Sequence, residues 1–200
     1  EDTSGLAAKR FQAQLDENPK NDVARYGLAI AQIKGSQFKQ ARENLAPLLA
    51  KTPNDITYNL AQIQLDIDNG RLPDAQQRTD KMLTQYPGNY PLNQVRVDLL
   101  LKQNRAPDAE KALETLLKSR PDDPDVWYQV AETRGLSGNI IGLHQARAEY
   151  FALVGDYRQA IQQLDFAKRK AGSNFPLSSR IDARQRELME QERMVKDMMG

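Results

Sequence analysis

A small residue followed at fixed spacings by bulky ones returns along this chain at a constant interval, and that period restricts the fold more than any other feature. Ala41, Leu45, Leu48, Leu49 and Pro53 recur as Ala75, Thr79, Met82, Leu83 and Pro87, then as Ala109, Leu113, Leu116, Leu117 and Pro121. Each step, from position 41 to 75 to 109, is 34 residues, and one step back lands on Ala7, Phe11, Gln14, Leu15 and Pro19. The bulky side chains follow the alanine at +4, +7 and +8, one face of a helix, which a single unit has no means to bury. Stacked neighbours bury it, so the period predicts helix pairs repeated along the chain. The alanine marks where an adjacent helix comes close, and the proline ends the helix before the next begins.

The interval and the small-then-bulky pattern resemble tetratricopeptide repeats. In that family the first helix of each pair carries an aromatic at its fourth position, matched by Trp127, and a small residue at its eighth, matched by Ala29 and Ala131. Ile63 and Val97 replace the small residue in other units, and Arg25, Asn59 and Asn93 replace the aromatic, so the second helix carries the stronger match. The resemblance implies an all-α solenoid of about ten to eleven antiparallel helices in a right-handed superhelix, closed by a C-terminal capping helix. It would form one domain, 1–200, in which 1–19 is the second half of a truncated repeat. Regular repeats then span 22–55, 56–89 and 90–123, register-shifted ones 124–174, and the capping helix 175–200. A first half-repeat missing at the start marks the chain as an expected piece of a longer protein.

Local signals place the helices. Ser4 is a candidate cap for the first, which runs through Phe11 to about position 15. Helices follow over 22–34, from Phe38, over 55–68 with Asn69 and Gly70 as a stop, and over 72–85, 90–103 and 107–119. Pro73 and Pro107 fall in first turns, where a missing N–H costs little. Trp127 anchors the next helix. Tyr157, Ala160, Leu164 and Ala167 then repeat the second-helix pattern, but Ala160 lies 51 residues after Ala109, one and a half periods. A helix over 140–154 fills the extra half, closing a fourth pair and opening a fifth with Ala148 as its small eighth residue. The last helix, 177–198, carries Leu177, Ile181, Leu188, Val195 and Met199 near one stripe and is otherwise charged, as befits a terminal cap.

Composition narrows the function classes. With 28 basic and 27 acidic residues the formal net charge is +1, so no strong field for nucleic acid or a membrane surface follows. Lys168, Arg169 and Lys170 close a predicted helix, where cations oppose the negative end of the dipole. There is no cysteine, which excludes thiolate metal sites and thiol nucleophiles, and no apolar run approaches membrane-spanning length. The one histidine, His144, has Glu149 as its nearest helical acid at a spacing of five, whereas two zinc ligands on one turn need three or four. His144 reads as a packing residue, and Glu187, Glu190 and Glu192 beside Arg184, Arg186 and Arg193 read as solvated ion pairs. No serine-hydrolase elbow, phosphate-binding loop or zinc-protease motif occurs, so no catalytic, cofactor or metal residue is assigned.

What remains is recognition. In tetratricopeptide folds, positions 2, 5, 9 and 12 of the first helices tend to face a concave groove. Carried onto this chain, the resemblance implies a lining of Tyr26, Ile30 and Ile33, then Leu60, Gln64 and Ile67, then Gln94, Asp98 and Leu101, then Tyr128 and Glu132. Such a lining suits an extended segment with apolar side chains.

Three runs, NDVARYGLAIAQIKGSQFKQARENLAPLLAKTPND, DPDVWYQVAETRGLSGNIIGLHQARAEYFALVGDY and SSRIDARQRELMEQERMVKDM, resemble the C-terminal repeat region of the beta-barrel assembly-enhancing proteases. These are periplasmic zinc metallopeptidases of Gram-negative bacteria. The resemblance implies a periplasmic location and a zinc site in a preceding peptidase domain, outside this chain. Its implied partners are outer-membrane beta-barrel proteins, subunits of the barrel-assembly machinery and its own peptidase domain. Two other roles stay open: an intramolecular element that gates the attached peptidase, and a free-standing adaptor.

Overall fold

The computed structural model describes residues 3–199. Among the described residues every regular element is a helix. These are α1 (Thr3–Glu17), α2 (Asp22–Lys34), α3 (Phe38–Lys51), α4 (Ile56–Asp68), α5 (Leu72–Gln85), α6 (Tyr90–Lys102), α7 (Ala106–Ser119), α8 (Pro124–Leu136), α9 (Ile140–Leu153), α10 (Tyr157–Ala171) and α11 (Phe175–Met199). The fold is an all-α helical repeat. Ser4 departs from expectation: it lies inside α1, where a helical backbone denies it the extended conformation of a cap residue.

Helix starts and stops obey the same period as the apolar stripe. Asn21, Asp55, Asn89 and Asp123 each accept a backbone N–H at the head of α2, α4, α6 and α8, at 3.0, 3.0, 3.1 and 3.0 Å. A left-handed residue then follows these same four helices: Ser36 (φ 56°), Gly70 (72°), Asn104 (58°) and Gly138 (75°). The next N–H reaches back to a last-turn carbonyl, Gln37 to Gln32, Arg71 to Asp66, Arg105 to Leu100 and Asn139 to Arg134, at 2.7 to 2.9 Å. These bonds satisfy carbonyls that a helix end would otherwise leave open.

The departure from that rhythm explains the half-period shift. After Gly138 the next left-handed closure is Gly155 (φ 83°), with Asp156 N–H on the Phe151 carbonyl at 2.8 Å. Thus α9 begins where a second helix begins and ends as a first helix ends. It packs on both α8 and α10. The apolar residues of α9 are not confined to one face for that reason, since two sides are covered.

The chain forms two compact units, residues 1–99 and 100–200, divided inside α6. In the first, Ala29, Ala41, Leu45, Leu48 and Leu65 make one core cluster, and Ile63, Ala75, Met82, Leu92 and Leu99 another. In the second, Ala148, Ala160, Leu164, Ala167, Ile181 and Leu188 pack together. Ala41, Ala75, Ala109 and Ala160 are all fully buried, as close helix approach requires. Ile63 and Val97, at positions where the repeat favours a small residue, are also fully buried. Helix α11 lies on α10, tied by Lys168 to Asp182 at 2.6 Å and Gln185 to Asp165 at 2.7 Å. Val195 is half-buried, and the side chain of Met199 lies outside the described residues.

Candidate functional site

In the first unit, the residues expected to face a ligand divide into two groups. Ile33 and Ile67 are 5% and 8% exposed and belong to the core clusters, so they do not present the surface expected of them. Their helices are covered on that side by the next helix of the pair, which takes the apolar side chain into packing. Tyr26, Ile30 and Leu60 are half-buried, while Gln64 and Asp98 are exposed. The Tyr26 ring lies 5.6 Å from that of Tyr58, tilted by 49°. Burial, with Asp55 and Tyr58 adding to it, pushes the Tyr26 phenol above its ordinary value. Ile30 lines a shallow hollow with Phe11 and Gly27, where the Phe11 ring lies so close that a Cβ on Gly27 would meet it at 2.5 Å. Gln64 donates to Asp68 at 2.7 Å. Gln94 donates its amide to the Tyr90 hydroxyl, and its Oε1 is buried with no hydrogen-bond partner among the described residues.

In the second unit, Leu101 is half-buried and Glu132 is exposed. Tyr128, 52% exposed, stands at a cavity of about 230 Å3 built from three helices. Helix α8 supplies Tyr128 and Ala131, α9 supplies Arg147, Tyr150 and Phe151, and α10 supplies Gln163. Tyr128 meets Tyr150 edge-on at 5.7 Å, and Tyr150 meets Phe151 edge-on at 5.3 Å, the geometry that ring quadrupoles favour. Behind them, Nδ1 of His144 lies 2.8 Å from Gln163 Oε1, and the His144 ring lies 5.3 Å from Phe166. The histidine thus fixes a lining amide. Glu149 is gripped by Arg184 through two bonds at 2.7 and 2.9 Å, which hold the guanidinium pKa above its ordinary value despite burial.

A family model described as Tetratricopeptide repeat matches residues 5–64 and 66–132. The chain belongs to the tetratricopeptide-repeat family. Solved structures agree on the fold. PilW, a widely conserved type IV pilus biogenesis factor, is 20% identical with a TM-score of 0.64, covering 90% of each chain. A tetratricopeptide repeat protein from Parabacteroides merdae is 15% identical with a TM-score of 0.60, over 89% of this chain and 76% of that one. A thermophilic protein of the same class from Thermus thermophilus is 21% identical with a TM-score of 0.50, over 90% and 89%.

The tetratricopeptide pattern led to Tyr128 but not to its neighbours. Arg147, Tyr150, Phe151 and Gln163 were missed because the family's groove positions were carried only along the first four pairs. The available signal was the adjacent Tyr150 and Phe151 on a helix whose apolar residues are not confined to one face. Among the described residues no group of three or more metal-ligating side chains occurs, and no helix is long and apolar enough to cross a membrane.

Proposed function

We propose that this tetratricopeptide-repeat chain is a non-catalytic recognition module acting in the periplasm for an attached zinc metallopeptidase. It grips outer-membrane beta-barrel proteins and subunits of the barrel-assembly machinery for assembly or degradation. Membership of a protein-binding repeat family supports the general role, and the three sequence runs that resemble the assembly-enhancing proteases support the specific one. Zinc belongs to the peptidase in this reading. The contact residues are Tyr26, Ile30, Leu60, Gln64, Gln94 and Asp98 in the first unit, and Leu101, Tyr128 and Glu132 in the second. The observation that carries the reading furthest is Tyr128, a large ring left 52% exposed beside an aromatic-lined cavity.

Photo-crosslinkers placed at Tyr26, Gln94 and Tyr128 test it, with exposed Lys81 and Lys111 on the second helices as controls. Capture of a beta-barrel protein or an assembly subunit from the first set is the expected result. Capture from the control positions alone overturns the assignment.

A further inference from the structure

The cavity beside Tyr128 carries more information than the presence of a contact. At about 230 Å3 it is smaller than the usual small-molecule site and has room for about one large side chain. Three aromatic rings line it with edges and faces both available, which suits a further ring or a branched aliphatic group.

Its polar groups are donors awaiting acceptors. Arg147 is exposed at the lining and pairs with no carboxylate among the described residues, whereas Arg134 and Arg184 of the same unit are held by Glu110 and Glu149 at 2.8 and 2.7 Å. Gln163 is nine-tenths buried, with Oε1 engaged by His144 and its amide N–H2 group without a partner among the described residues. A guanidinium and an oriented amide beside an apolar hollow call for a carboxylate and a peptide carbonyl next to an apolar side chain.

We infer that this cavity takes one aromatic or large aliphatic side chain of an extended peptide segment, with an Asp or Glu carboxylate of that segment on Arg147. In an extended strand, residues two apart lie on one face, so the acidic residue sits two positions from the inserted one. The carboxylate is a side chain's and not a chain terminus, because a single exposed guanidinium at an open mouth lacks the converging donors that enclose a terminus. The inference rests on the recognition role proposed above and names the chemistry recognised at one of its residues.

Binding of short peptides to the full chain, followed by fluorescence anisotropy, tests it. The probe is a blocked Gly/Ser peptide with Phe at its centre and Asp two residues on. Expected outcomes are measurable affinity, a loss of about fivefold when the Asp becomes Asn, and a larger loss when the Phe becomes Ala. Arg147→Gln should abolish the preference for Asp over Asn, and Arg147→Lys should restore part of that preference. Tyr128→Ala should weaken both peptides, with an unchanged thermal melt showing that the fold is intact. Equal binding of the Phe and Ala peptides, or an Asp preference that survives Arg147→Gln, overturns the inference. Tighter binding of a peptide with a free terminal carboxylate in place of the Asp, or of adenosine monophosphate, also overturns it. Clients crosslinked at Tyr26 with no peptide preference would sink this inference alone, and peptide preference without any captured client would sink only the client assignment.

Discussion

The indole N–H of Trp127 donates to the carbonyl of Pro121 at 2.7 Å. The same step recurs in every earlier pair, where Arg25, Asn59 and Asn93 donate to the carbonyls of Pro19, Pro53 and Pro87 at 2.8, 2.9 and 2.9 Å. The shared requirement at this position is therefore an N–H donor long enough to reach the turn, not an aromatic ring. Proline supplies no N–H, so what it can offer the following helix is its carbonyl, and in all four turns that carbonyl is taken. Arginine and asparagine meet that requirement as tryptophan does.

Asn59 makes the sharpest test of this tie. It is 2% exposed, donates to Pro53 and accepts from Arg78 Nη1 at 2.9 Å. Asn59→Leu keeps the branch at Cγ with somewhat more bulk, and strands a carbonyl and a guanidinium. We expect a loss of about 2 kcal/mol in urea unfolding with little change in slope. A change under about 0.5 kcal/mol would show that the turn does not depend on this bond.

A second prediction follows from a reversed pair. Arg25 reaches Asn44 Oδ1 at 3.4 Å, whereas one period later Asn59 faces Arg78 with the two residue types exchanged. The geometry thus accepts either order. The double variant Asn59→Arg with Arg78→Asn should recover much of the loss caused by each single change, with a coupling of about 1 kcal/mol in a double-mutant cycle. Simple additivity of the two losses would refute the equivalence.

Helix closure gives a third. Ser36 holds φ 56° at the place where Gly70 holds 72° one repeat later. An L side chain in the left-handed region costs about 1 kcal/mol, so Ser36→Gly should raise stability by that order in a thermal melt. Gly70→Ala should lower it similarly, through torsion alone, because a Cβ at Gly70 meets nothing within 4 Å.

Alkaline titration supplies a fourth. The Tyr26 phenol is held above its ordinary value near 10, chiefly by burial. The folded state therefore favours the neutral ring. Its contribution is fully present below the ordinary value and is lost as pH rises through the raised folded one. Ultraviolet titration should show one late-ionising phenol that Tyr26→Phe removes, and that variant should resist alkaline unfolding better than the parent.

Much of the fold was legible because its signals are local. A spacing of 34 residues, prolines after second helices and turn residues such as Asn69 and Gly70 placed nearly every helix within two residues of its observed bounds. Even the half-period shift was readable, since Ala148 and Ala160 mark two successive helices that must each be closely approached. Ser4 was misread because a serine near a helix start is compatible with either a cap or a first-turn position, and only the backbone distinguishes them.

The sequence by itself determined which face of each helix is apolar, because 3.6-residue periodicity is a property of neighbours along the chain. Which of those faces stays open was decided by packing in three dimensions. Ile33 and Ile67 were consumed by their cores, while Tyr128, Arg147 and Gln163, from three successive helices that the period already pairs, converged on one cavity. Covering a surface depends on what stacks against it, and that information resides in contacts between distant residues.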